Sequence, residues 1–389
     1  MMRPENLASY QKIRQKGQLE REKDDEMDHP DSRPIRRADL GASSTWTRRE
    51  FFKGIGAAGA LAFWPDWLRA GEEPAEKVAF VTGDIYSRHD TGEFAYESAK
   101  RLRAVGDRLE RDGLLPRLLR VEPRRAGLEW IETVHTPGYV ETVKKDVESG
   151  AHQLSTGHTL ISRESYDVAL WAAGGVLAAC DQVMDGGAGH AFCAVRPPGH
   201  HASTEVGTGF CIFNNAAVAA RYLQKKHGLD RVLIIDWDLH HGNGTQDIFY
   251  RDGSVFYFST HQWPWYPWTG SAEETGEGAG KGATLNVPLP AGSGDSEFVE
   301  AYEGKLRPAM DRFRPDFVLI SAGFDSRTAD PLGRFRVTDD GFRRLTEIAL
   351  AIARDHASGR LVSVLEGGYN LPGLASAVSA HVETLLRGR

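Results

Sequence analysis

The chain has 389 residues, of which 41% are apolar, 26% charged and 10% aromatic. That composition excludes a collagenous, disulfide-scaffold or wholly disordered protein, and no apolar run reaches the roughly 18 residues of a spanning helix. The formal charge of −7 is uneven, about +2 over residues 1–70 and −9 over the rest, and an acidic globular part speaks against nucleic acid as a partner.

Residues 1–46 read as a disordered polar extension, with charged runs such as Glu20–Asp25 and little apolar periodicity. Residues 47–70 follow a different pattern. Thr47-Arg48-Arg49-Glu50-Phe51-Phe52-Lys53 precedes the small, apolar stretch Gly54–Trp64, which resembles a twin-arginine export signal. Export to the periplasm or another extracytoplasmic site is the expectation, through the export machinery that reads such signals. A cytoplasmic tail that merely contains Arg48-Arg49 is the alternative. Leu68-Arg69-Ala70 is a poor cleavage site, and Met27 as initiator would leave a more usual leader.

Residues 77–389 read as one α/β domain. Strands are predicted at Lys77–Thr82, Ala191–Val195, Arg231–Asp236, Ser254–Ser259, Phe317–Ser321 and Leu361–Leu365. Helices are predicted at Ser165–Met184, Asn215–His227 and Gly341–His356, where apolar residues recur at helical spacing. Strands alternating with helices imply a mostly parallel sheet covered on both faces. Gly270–Gly282 is a long glycine-rich loop. Cys180, Cys193 and Cys211 are too few for a disulfide framework and read as buried free thiols.

The polar residues with chemistry come just after the strands, where open parallel sheets bind ligands. His200-His201 follow Ala191–Val195, Asp236-Trp237-Asp238-Leu239-His240 closes Arg231–Ile235, Asp325 follows Phe317–Gly323, and Tyr369 follows Leu361–Leu365. Asp238 and His240 are spaced i, i+2, which on an extended strand end puts both side chains on one side. With Asp325 they make three protein ligands and leave an open position, the pattern of catalytic zinc. His200 and His201 suit general acid–base work near neutral pH, with Asp236 and Asn243 available to orient them.

RPPGHHA (196–202), GFCIFNN (209–215), DWDLHHGNGTQ (236–246), STHQ (259–262), SAGFDSRTADPLG (321–333) and LEGGY (365–369) resemble the histone deacetylase / acetylpolyamine amidohydrolase family, in family order over roughly 77–380. The resemblance implies the arginase/deacetylase fold, a single domain around an eight-stranded sheet, and a zinc-dependent hydrolase that removes acetyl or short acyl groups from an acyl-lysine or small N-acetylated amine. It implies Asp238, His240 and Asp325 as zinc ligands. It makes His201 the general base, with His200 as its electrostatic partner backed by Asp236, and Asn243 behind His201. Tyr369 becomes the oxyanion donor, on a loop that Gly367-Gly368 would let swing. Gly209, Phe210 and Tyr266 become walls of a substrate tunnel, with Leu332 at its gate. A structural potassium ion is implied at Asp236, Asp238, His240, Ser259 and Thr260, and a second near Phe249, Asp252 and Val255.

The chain departs from the family pattern at the rim. Asp90-Thr91-Gly92 is followed by Glu93-Phe94-Ala95-Tyr96-Glu97-Ser98 where His-Pro-Glu is usual. His158-Thr159 stands for Asp-Thr, and Tyr266-Pro267-Trp268-Thr269-Gly270 for Tyr-Pro-Gly-Thr-Gly, with Trp263 and Trp265 nearby. The tryptophans read either as packing or as a rebuilt aromatic mouth. Leu332 after Asp330-Pro331 offers nothing to a second ammonium, which disfavours a polyamine. An acetylpolyamine amidohydrolase, a dimanganese arginase-like enzyme and a non-catalytic acyl-ligand binding protein remain the alternatives.

Overall fold

A run such as Val232–Asp236 has no polar face to offer solvent, and every position is buried. Its alternate residues enter different cores. Val232 and Ile234 pack into one apolar cluster, and Leu233 and Ile235 into the other, the two-residue period of a strand covered on both faces. The computed structural model describes residues 77–388. The polar extension and the twin-arginine-type segment lie outside the described residues.

Eight strands form one sheet that is parallel throughout: β1 (Val78–Val81), β2 (Leu119–Val121), β3 (His190–Cys193), β4 (Val232–Asp236), β5 (Val255–Gln262), β6 (Thr284–Leu289), β7 (Phe317–Ala322) and β8 (Leu361–Leu365). Their order is β2-β1-β3-β8-β7-β4-β5-β6. The sequence reading placed six of them within a few residues. It missed β2 and β6, which lie at the two edges. β2 is only three residues long and largely exposed, and β6 contains Pro288, which an edge strand tolerates because its missing N–H need not serve a ladder.

The helices, in chain order, are α1 (Lys100–Arg111), α2 (Leu128–Ile131), α3 (Pro137–Glu148), α4 (Ser165–Met184), α5 (Asn215–His227), α6 (Asn243–Phe249), α7 (Asp295–Ala301), α8 (Arg307–Phe313), α9 (Asp339–His356) and α10 (Leu371–Arg387). α3, α4 and α5 pack into the cluster on one face of the sheet, and α1, α9 and α10 into the other. The ranges expected for α4 and α5 hold to the residue. α9 begins two residues early because the Thr338 hydroxyl accepts from Gly341 N–H at 3.1 Å and caps its first turn. The three cysteines are free and buried, as expected, and burial holds their thiols well above the usual range. Among the described residues, no helix is long and apolar enough to cross a membrane.

Candidate active site

The carboxyl ends of β3, β4, β7 and β8 are neighbours in the sheet, so the segments that leave them meet. Asp238 and His240 come after β4 has ended, in a bend rather than on an extended strand end. The expected strand geometry is therefore corrected. What brings the pair together is local hydrogen bonding, since His240 N–H donates to Asp238 Oδ1 at 2.8 Å and Asp238 N–H to Asp236 Oδ1 at 3.2 Å. Asp325 arrives from β7 and accepts Leu239 N–H on Oδ1 at 2.9 Å. His240 Nδ1 then lies 3.1 Å from Asp238 Oδ1 and 3.2 Å from Asp325 Oδ2.

These three residues fit a divalent cation. They are buried, and one ligand atom from each falls within 4.8 Å of the other two. Backbone N–H groups hold three of the four carboxylate oxygens, while Asp325 Oδ2 is buried and accepts no hydrogen bond, a costly state for an ionised group without a counter-charge. Burial first, then the charge of Asp238, pushes Asp325 up to about 7. Burial opposes the imidazolium of His240, but the Asp238 and Asp325 carboxylates beside it outweigh that and lift it to about 9. Two carboxylates and an imidazole are the donors that zinc takes.

Gly367, expected as a hinge, supplies room instead. A Cβ there would stand 2.2 Å from Asp325 Oδ2 and 2.6 Å from Asp238 Oδ2. The loop that carries Tyr369 is pinned rather than free. Gly367 N–H donates to Asp238 Oδ2 at 2.8 Å, and Tyr369 and Asn370 N–H donate to Asp330 Oδ2 at 2.7 and 3.1 Å. From the other side Arg101 Nε donates to Gly368 O at 2.8 Å and Arg101 Nη2 to Glu366 O.

The tandem histidines differ in their surroundings. His200 Nδ1 lies 3.1 Å from Asp236 Oδ2, which also accepts from the Tyr257 hydroxyl at 3.0 Å. Burial disfavours charge on His200, yet Asp238 and Asp236 outweigh it and hold its pKa well above the ordinary value. His201 Nδ1 lies 2.8 Å from Asn243 Oδ1, an amide that brings no negative charge. Burial, then the neighbouring His200 and His240, hold His201 well below the ordinary value. The two rings are 4.1 Å apart, and His201 is 5.8 Å from His240 between centroids. Burial, then Asp325, raises the Tyr369 hydroxyl well above its usual range, so it stays a donor.

A cavity of about 440 Å3 opens over His201, His240 and Tyr369. Gly209, Phe210, Tyr266 and Leu332 line it, and so do His158, Trp265 and Trp268; Trp263 is not among the described residues that line it. Asp236, Asp238, Ser259 and Thr260 are buried behind it, with Asp236 and Ser259 paired in register between β4 and β5. Phe249 is buried and Val255 opens β5, while Asp252 Oδ1 accepts Ser254 N–H at 2.8 Å.

Sequence reasoning missed the support of this site. Glu97 is fully buried and takes both Arg196 Nε and Arg196 Nη2 at 2.8 Å, with Arg101 Nη1 at 3.4 Å. The Arg101 guanidinium lies 5.1 Å from the Tyr369 ring centre, within cation–π range. One signal was available: Arg101, Val105 and Leu109 are the buried positions of α1, four residues apart. An arginine on an apolar helix stripe needs a buried partner.

Comparison with known proteins agrees with the geometry. The profile of the histone deacetylase domain matches residues 95–385. The chain is 40% identical over 299 residues to a protein named probable deacetylase from Archaeoglobus fulgidus, covering 75% of this chain and 82% of that one. It is 39% identical over 309 residues to the polyamine deacetylase HDAC10 of Homo sapiens, covering 76% of this chain and 45% of that one. The crystal structure of the HDA15 HD domain superposes with a TM-score of 0.75 at 36% identity, over 80% of this chain and 88% of that one.

Proposed function

The chain belongs to the histone deacetylase family, has its fold and is an amide-hydrolysing deacetylase; from that premise we propose that it works with one zinc ion held by Asp238, His240 and Asp325, on an amine bearing an acetyl or short acyl group. The observation that carries the reading is the buried Asp238–His240–Asp325 group lying under one cavity with His201 and Tyr369. Zinc bound there would polarise the amide carbonyl and acidify a water molecule.

The protein's own groups do the rest. Asn243 Oδ1 accepts from His201 Nδ1–H, so His201 Nε2 is the lone-pair nitrogen and takes the proton from the attacking water. The low basicity of His201 keeps it neutral and ready for that step. His200, held protonated by Asp238 and Asp236, stabilises the negative charge that develops beside it. The Tyr369 hydroxyl donates to the carbonyl oxygen as it gains charge. His201 then returns the proton to the departing nitrogen as the C–N bond breaks, and the carboxylic acid and free amine leave, the acid passing its proton to the amine or to solvent.

The human relative is named a polyamine deacetylase. Here Leu332 lines the mouth, and Asp330 beside it spends both oxygens on backbone N–H groups of Leu332, Tyr369 and Asn370. Among the described residues that line the cavity no carboxylate is left for a second ammonium, so the reading favours an acyl-lysine or a singly charged amide. The register of Asp236 against Ser259 supports a structural potassium ion among Asp236, Asp238, His240, Ser259 and Thr260, and the second site near Phe249, Asp252 and Val255 belongs to the same proposal. Residues 47–70 support export, testable by fractionation of an R48K/R49K variant.

The central test is metal analysis with a panel of acetyl-lysine peptides, acetylpolyamines and small N-acetyl amines. One zinc per chain is expected, and Tyr369→Phe should lose about 10²–10³-fold in kcat while keeping its metal. Two metals per chain, or wild-type turnover by Tyr369→Phe, would overturn the assignment.

A further inference from the structure

The mouth of the cavity carries an unusual backbone. Trp268 has φ +68°, a left-handed conformation that glycine adopts freely and a bulky side chain adopts at a cost. The frame imposes it from both sides. Trp265 Nε1 donates to Leu332 O at 3.0 Å, Trp268 N–H closes the turn onto Trp265 O at 2.8 Å, and Thr269 Oγ1 lies 2.8 Å from His241 Nδ1. A tryptophan at this point is not explained by burial, since it remains 38% exposed. Its ring lines the substrate cavity. Phe210, another aromatic residue in a left-handed conformation (φ +68°), lines the same cavity.

Strain that persists in a pinned loop beside a reaction site points to a use there. We propose that Trp268 is a specificity-determining residue, an outer aromatic wall that holds a planar apolar group on the amine side of the substrate. This rests on the hydrolase reading above and narrows its substrate class to acylated amines with an aromatic or similarly flat neighbour. The surroundings favour that ligand over a cationic one: among the described residues that line the cavity there is no acidic or lysine side chain, and Trp265, Tyr266 and Leu332 complete the wall. Flat apolar groups stack on such rings and remove both surfaces from water.

The test uses zinc-loaded full-length protein and three substrates built on Nε-acetyl-lysine, with a naphthylamide, a methylamide or a trimethylammonium-ethylamide cap. Wild type should favour the naphthylamide over the methylamide at least tenfold in kcat/KM. Trp268→Gly should erase most of that preference through KM, and Trp268→Phe should restore much of it. An unchanged preference in Trp268→Gly, or a trimethylammonium cap preferred to the naphthylamide, would overturn the proposal. So would an equal loss on all three substrates with a lower melting temperature, which would make Trp268 a packing residue. Absence of turnover on every substrate would instead sink the hydrolase reading. The ratio of calorimetric dissociation constants for the naphthylamide and methylamide compounds would then decide Trp268: a ratio that collapses in Trp268→Gly supports it, and an unaltered ratio refutes it.

Discussion

Replacing Glu97 by glutamine tests whether the tyrosine loop is held by a buried ion cluster. The side chain keeps its shape and loses its charge, leaving the Arg196 and Arg101 guanidiniums, both fully buried, without their carboxylate. Burial alone would raise the pKa of Glu97, but Arg196, bonded to both of its oxygens, outweighs it and, with His89 and Arg101, brings it down to about 2 from an ordinary 4.5. Because the folded-state pKa is depressed, the stabilisation is complete above pH 4.5 and is lost as pH falls through about 2. A difference of that size corresponds to about 3 kcal/mol at neutral pH, within the range of about 3–5 kcal/mol found when one partner of a buried pair is removed. Urea unfolding followed by circular dichroism should show that loss at pH 7.5, and the gap between wild type and variant should narrow as pH drops below 4.5. Turnover should fall too, since Arg101 holds Gly368 O and faces the Tyr369 ring. A loss below about 1 kcal/mol at neutral pH, or a gap that ignores pH, would show that the cluster is not the support described here.

Asp325→Ala should abolish stoichiometric zinc, measured by mass spectrometry of metal after dialysis; retention of one zinc per chain would mean the ligands are wrongly assigned. Gly367→Ala forces a methyl group to within 2.2 Å of Asp325 Oδ2, so chelator competition should show metal affinity reduced at least about tenfold with the far-ultraviolet spectrum intact; wild-type affinity would refute the close approach. Burial lowers His135 to about 4 and His381 to about 3. Both stay neutral in the fold while the unfolded chain takes up their protons below pH 6.5, so their contribution is present above 6.5 and declines as pH falls towards 4. The two together steepen the fall by up to about 2.7 kcal/mol per pH unit, which urea titrations of wild type against His135→Asn and His381→Asn would resolve; equal slopes in all three would contradict it.

What could be read from the sequence follows a physical division. β4 announces itself because burial on both faces demands continuous apolar residues, and α4 because apolar and small residues recur at helical spacing along its whole length. The same runs made Asp238, His240 and Asp325 conspicuous, since polar side chains directly after a buried strand must find partners. β2 and β6 gave no comparable signal, because edge strands share the composition of the surface they border. Glu97 gave no signal of its own, because it lies in a segment that read only as a departure from the expected His-Pro-Glu and its partner Arg196 stands 99 residues away in the chain. Trp268 illustrates the remaining gap. Its identity is plain in the sequence, but its left-handed backbone is set by Leu332 and His241, 64 residues downstream and 27 upstream, and no local pattern encodes a constraint of that range. Residues of the candidate metal site therefore declare themselves locally, whereas Trp268, proposed to select the substrate, acquires its meaning from contacts distant in the chain. The cavity mouth, where Trp265, Tyr266, Trp268 and Leu332 meet, is accordingly where the substrate experiments have the most to decide.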